Sequence, residues 1–114
     1  MTWDEVVACG LKLPGVEVST SYGTPSLKAY GKFLTRLRRE DDSLVLIDVG
    51  FDERDFLIEA EPEVFHLTPH YKDYPAVLAR LAVVDAGTVA QLLERRWGKV
   101  APKKALKAQD DGAP

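Results

Sequence analysis

Apolar and polar residues change period several times along the chain, and each change marks an element. Trp3, Val6, Val7 and Leu11 recur at helical intervals, and Thr2 with Glu5 stand before them in capping-box spacing. A first helix is therefore predicted, stopped by Gly10 and then by Pro14-Gly15. Val16 and Val18 then alternate with Glu17 and Ser19, a short strand. From Ser21 to Leu37 two runs alternate at period two between turn signals at Gly23, Pro25 and Gly31, the pattern of a half-buried hairpin. The second run, Lys32 to Arg38, ends in the acidic turn Glu40-Asp41-Asp42. Ser43 to Val49 is almost continuously apolar, which suits a central strand. These four strands are expected to form one antiparallel meander.

Gly50 breaks the pattern, and Asp52 is expected to cap a short helix with Phe51 and Phe56 as its hydrophobic staple. Pro62 ends that helix. Val64 to Leu67 and Pro75 to Leu81 read as a second hairpin, joined through Thr68-Pro-His-Tyr-Lys-Asp-Tyr74. Asp85 caps a closing helix whose apolar positions Val89, Leu92, Leu93, Trp97 and Val100 keep the helical period and leave Arg95, Arg96 and Lys99 toward solvent. Pro102 ends it. Residues 1–102 thus read as one domain, and 103–114, small and charged with Gly and Pro, as a flexible tail.

Composition narrows the class without naming a function. A chain of 114 residues with 46% hydrophobic and 29% charged residues fits a folded globular domain. Cys9 is the only cysteine, so an intramolecular disulfide is excluded. The first ten residues have no basic leader and their apolar run is broken by acids, so neither a signal peptide nor a membrane anchor is read there, and a cytoplasmic protein is expected. The net charge of −3 offers no global attraction for nucleic acid. Charge is nevertheless polarised: residues 51–90 hold eight acids against three bases, and 91–107 hold one acid against six bases.

Candidate chemistry concentrates on the first hairpin. Lys28, Tyr30, Lys32, Arg36 and Arg38 alternate toward solvent and form a basic, partly aromatic face suited to phosphate contacts, with Arg39 beside them. His70 and Lys72, at the tip of the second hairpin, would act as a second wing. A solvated sheet face with gatekeeping edge charges has the same pattern. Exposed Tyr22, Tyr30, Tyr71 and Tyr74 fit a protein contact as well. His66 and His70 are four apart, but Pro69 and the strand pattern prevent the helical convergence that a metal pair needs, so no metal site is expected. Cys9 reads as a small buried hydrophobe. Asp41-Asp42 and Asp52-Glu53 read as turn and cap residues. No nucleophile, base and orienting group assemble, so neither an enzyme nor a cofactor is expected.

The segments Tyr22-Gly-Thr-Pro-Ser-Leu-Lys28, Gly31-Lys-Phe-Leu-Thr-Arg-Leu37, Phe65-His-Leu-Thr-Pro-His-Tyr71 and Tyr74-Pro-Ala-Val-Leu-Ala-Arg-Leu81 together resemble the bacterial MmcQ/YjbR family. The resemblance implies an α+β fold of the CyaY/frataxin kind, an antiparallel sheet covered by its terminal helices in the order αββββαββα. Members are commonly labelled DNA-binding because two hairpins look like a double wing. Iron binding does not follow from the frataxin likeness, since the first helix here offers only Asp4 and Glu5. The leading expectation is a DNA-binding protein that uses its basic hairpin faces. A protein-interaction or adaptor domain is the alternative, and a small-ligand pocket between the sheet and the acidic second helix is a third possibility.

Overall fold

The computed structural model describes residues 1–111, with side chains through Lys107; residues 112–114 of the expected tail lie outside the described residues. Helix α1 (Trp3–Gly10) opens the chain with the predicted capping box: the Thr2 hydroxyl accepts from the Glu5 amide at 3.2 Å, and the Glu5 carboxylate accepts from the Thr2 amide at 2.9 Å. Strands β1 (Val16–Ser21), β2 (Thr24–Ala29), β3 (Lys32–Arg38) and β4 (Ser43–Ile47) follow as an antiparallel meander. After α2 (Phe51–Ala60) come β5 (Phe65–His66), a single 3₁₀ turn at Pro69–Tyr71, and β6 (Ala76–Arg80). The strands form one six-stranded antiparallel sheet in the order β1-β2-β3-β4-β6-β5. Helices α3 (Ala86–Val100) and α4 (Lys103–Asp111) close the chain. The α+β class with a fully antiparallel sheet and flanking helices is thus observed.

Two tight turns fix the register of the meander. Tyr22-Gly23 and Tyr30-Gly31 each place both residues at positive φ, 53° and 73° in the first and 52° and 80° in the second. That is the two-residue hairpin turn whose twist matches the flanking strands, and glycine supplies its second position at little cost. Pro25 is not a turn residue; it lies inside β2, opposite Thr20.

One irregularity alters the alternation that the sequence suggests. Ala29 faces Lys32 and Lys28 faces Phe33, yet Leu27 faces Thr35, so Leu34 is an extra residue bulged out of β3. Because directly opposed residues share a side of the sheet, the bulge reverses which side successive β3 residues occupy.

The covered side carries the main core. Leu27, Leu34, Leu44, Leu46, Phe65 and Val77 pack there with Val6 of α1 and with Val89, Leu93 and Trp97 of α3. The Trp97 indole N–H donates to the Pro14 carbonyl at 2.7 Å, so this large ring is buried without an unmet donor. The other side is open except where the Leu67–Tyr74 connection folds back on it, and there Val45, Leu78 and Ala76 pack with Tyr71, Phe33 and Ile47.

The helices depart from expectation in three places. Helix α2 starts at Phe51 with Gly50 as its cap and no side-chain cap bond, so Asp52 lies in the first turn and Phe51 and Phe56 are exposed instead of stapled. Arg96 of α3 turns inward, donating to the Phe33 carbonyl at 2.9 Å and to Asp48 at 2.9 Å, because α3 packs against β3 and β4 and brings both acceptors within its reach. Lys103–Asp111 forms helix α4 where a frayed tail is expected, and Ala105 and Leu106 pack against the core cluster.

Candidate binding face

The predicted basic set is divided by the fold. Lys28, Arg36 and Arg38 lie on the open side, since Lys28 faces Phe33 and Arg36 faces Val45, a residue of the open-side cluster. Lys32, opposite Ala29, belongs to the covered side at the sheet's end, so the bulge separates it from the residues it was grouped with. Tyr30 is 37% exposed but held against the chain: its ring lies 2.4 Å from where a Cβ on Gly15 would sit, and its amide donates to the Gly15 carbonyl at 2.9 Å. Arg38 is neutralised by Asp41 and by Glu40 at 3.2 Å. His70 and Lys72 sit on a connection folded over the sheet, not on a projecting wing tip.

What the fold brings together is an aromatic groove on the open side. Ser21, Tyr22, Phe33, Arg36, Val45, Ile47, His70, Tyr71 and Tyr74 line a cavity of about 470 Å³, within the roughly 300–1,000 Å³ span usual for ligand pockets. Its floor is apolar, from β3 and β4. One wall is the Tyr22 turn, where the ring is 92% exposed. The opposite wall is an aromatic stack, His70 meeting Tyr71 edge-on at 4.7 Å and Tyr74 at 5.8 Å between centroids. Arg36 stands between the two walls, with its guanidinium 5.7 Å from the Tyr22 ring and donating to the Tyr71 hydroxyl at 2.8 Å. Its other hydrogen bond goes to the Leu37 carbonyl at 3.4 Å, so among the described residues its charge is met only by neutral groups. No residue of α2 lines the cavity, so it is not a pocket between the sheet and that helix.

The far wall is held by a buried cation that the sequence reading passes over. Arg54 of α2 is 8% exposed and donates to the carbonyls of Lys72 at 2.9 Å and Tyr74 at 3.2 Å. Phe51 covers it at 4.8 Å, and Asp55 pairs with it at 3.2 Å. An arginine in a helix of acids ordinarily reads as a solvated charge. Its role depends on two carbonyls contributed eighteen and twenty residues later.

A second polar cluster sits farther along the open side. The Ser43 hydroxyl is 2.9 Å from His66 Nε2, and Asp41 approaches the same nitrogen at 3.6 Å. A catalytic triad needs the acid on the other ring nitrogen and the serine accessible. Here both partners converge on one nitrogen and Ser43 is fully buried, so the cluster is structural. Burial, reinforced by Arg80, lowers the His66 pKa; Asp41 opposes this and Arg38 adds to it. Among the described residues, no three His, Cys, Asp or Glu side chains gather as a metal site, and no helix is long and apolar enough to cross a membrane. Cys9 is half-buried. Ser26, which faces Arg36 across the strands, is buried with no hydrogen-bond partner for its hydroxyl.

Fold and groove together define an α+β protein with one face of its sheet shielded by helices and the other presenting an aromatic groove. The chain belongs to a family of mycobacterial relatives: it is 31% identical over 121 aligned residues to the uncharacterized protein Rv2570 of Mycobacterium tuberculosis, with 94% of each chain covered. The uncharacterized proteins MT2646 of Mycobacterium tuberculosis and Mb2600 of Mycobacterium bovis match to the same extent. No family model matches the chain. No solved structure matches it either.

Proposed function

We propose that this protein is a non-catalytic nucleic-acid-binding module that takes a single strand across the open face of its sheet. The observation that carries the reading is the groove itself, in which Tyr22, Phe33, His70 and Tyr74 surround Arg36, whose guanidinium has no carboxylate partner among the described residues. Aromatic faces beside a cation suit unstacked bases. A duplex would require a continuous row of free cations, and the fold breaks that row at Lys32 and Arg38. The resemblance to MmcQ/YjbR proteins supports nucleic acid as the ligand class.

The test is fluorescence anisotropy with a random single strand and a random duplex, each at about 50 and about 200 mM salt. The expected result is salt-sensitive binding with the single strand preferred, weakened about tenfold by Tyr74→Ala. Preference for the duplex would return the phosphate contacts to the hairpins. Absence of binding to either at the lower salt would refute the reading and leave the exposed tyrosines as a protein contact.

A further inference from the structure

The groove has features that a mere path for a polymer does not require. Tyr22 holds a left-handed backbone conformation, φ 53°, that bulky side chains rarely adopt, and its ring is left 92% in water. Asparagine or glycine would serve this turn better. Strain combined with an exposed ring at the lip of a cavity points to a role for the ring outside the fold. The facing wall is fixed by buried Arg54, and Arg36 is aligned by Tyr71, so the walls and the charge are in place before anything binds.

We infer that this groove is a site for one flat aromatic ring carrying an anionic group, with the ring taken between Tyr22 and the His70–Tyr74 wall and the anion meeting Arg36. A nucleotide and a free aromatic carboxylic acid share this chemistry. The inference rests on the open face being the binding surface, but not on the ligand being part of a polymer. With a single cation and an apolar floor, the site selects one negative charge joined to a ring, and neither half suffices alone.

The experiment is an NMR titration of the full chain with adenosine 5′-monophosphate, 4-hydroxybenzoate, adenosine and inorganic phosphate, repeated on Tyr22→Asn and Arg36→Gln. At least one of the two aromatic anions is expected to bind saturably, shifting resonances of Tyr22, Tyr74 and the Arg36 side chain. Adenosine is expected about tenfold weaker than its monophosphate, and phosphate alone is expected to leave the groove unshifted. Tighter binding of the nucleotide or of the carboxylate identifies the source. Tyr22→Asn should weaken the preferred anion about tenfold while leaving the melting temperature unchanged or higher, which a merely structural tyrosine would not do. Arg36→Gln should erase the advantage of the anion over the neutral nucleoside. Failure of both aromatic anions to shift the groove, or full affinity in Tyr22→Asn, overturns the inference. Oligonucleotide binding with neither aromatic anion bound would overturn only this inference; a bound carboxylate without oligonucleotide binding would overturn only the nucleic-acid reading.

Discussion

Tyr22 and Tyr30 occupy nearly the same backbone conformation and differ in what their rings touch. Both open a two-residue turn at φ close to 52°, where an L-residue with a bulky side chain loses about 1–2 kcal/mol. Tyr30 offsets this by lying over Gly15, whose own φ of 74° and missing Cβ make the space. Tyr22 has no packing of that kind, only the Arg36 guanidinium 5.7 Å from its exposed ring. Tyr22→Asn is therefore expected to raise the melting temperature by about 3–5 °C, and Tyr30→Asn to lower it, both read by thermal denaturation. Gly15→Ala should destabilise by about 2–4 kcal/mol, since it meets both an unfavourable φ and the Tyr30 ring, and urea denaturation measures this. His66 makes a pH prediction at the same scale. Its pKa is lowered on folding from 6.5, so the unfolded chain binds the proton more readily and acid favours unfolding. The contribution of neutral His66 is complete above 6.5 and is lost as pH falls through the lower folded value. Stability measured from pH 7.5 down to 5 should fall, and His66→Gln should flatten that fall.

At the scale of elements, helix α2 and the groove wall form one mechanical unit through Arg54. Arg54→Met keeps most of the side-chain volume but leaves the Lys72 and Tyr74 carbonyls without their donor, at a cost of about 2 kcal/mol. Amide exchange in residues 69–76 should accelerate more than exchange in β4, and uniform acceleration would show that Arg54 supports the whole fold rather than the wall. This element also shows what the sequence made legible. The meander, the Thr2 and Asp85 caps and the buried stripe of α3 follow from local periodicity and cap chemistry, which neighbouring residues decide among themselves. Arg54 and Arg96 were hidden because their burial depends on carbonyls from distant segments. The β3 bulge was hidden because it exists only in the pairing of two strands. Helix α4 was masked by its composition, though Ala105 and Leu106 carry the contact that holds it.

At the scale of the molecule, the acidic total and the sparse free cations set how binding should respond to salt. Arg36, Lys28 and Lys72 are the cations near the groove that enter no ion pair among the described residues, and Lys28 faces Glu17 across the strands. Two or three phosphate contacts to a single strand give a logarithmic salt slope of about −1.4 to −2.1, a loss of roughly 7- to 18-fold for a fourfold rise in salt. A slope steeper than about −4 would mean that a larger basic surface than the groove takes part. The bulged Leu34 has one more consequence, for how the family is compared. It acts on β3 as a frameshift acts on a message: the residues before it keep their identity but not the side that plain alternation would give them. A relative with one residue fewer between the Tyr30-Gly31 turn and Arg36 would lose the bulge yet keep its counterpart of Lys32 opposite Ala29 and that of Arg36 opposite Ser26, each on its present side. A gap at this point of an alignment therefore leaves the charge of the open face where it is, and a substitution at the counterpart of Arg36 is what marks a member whose open face differs.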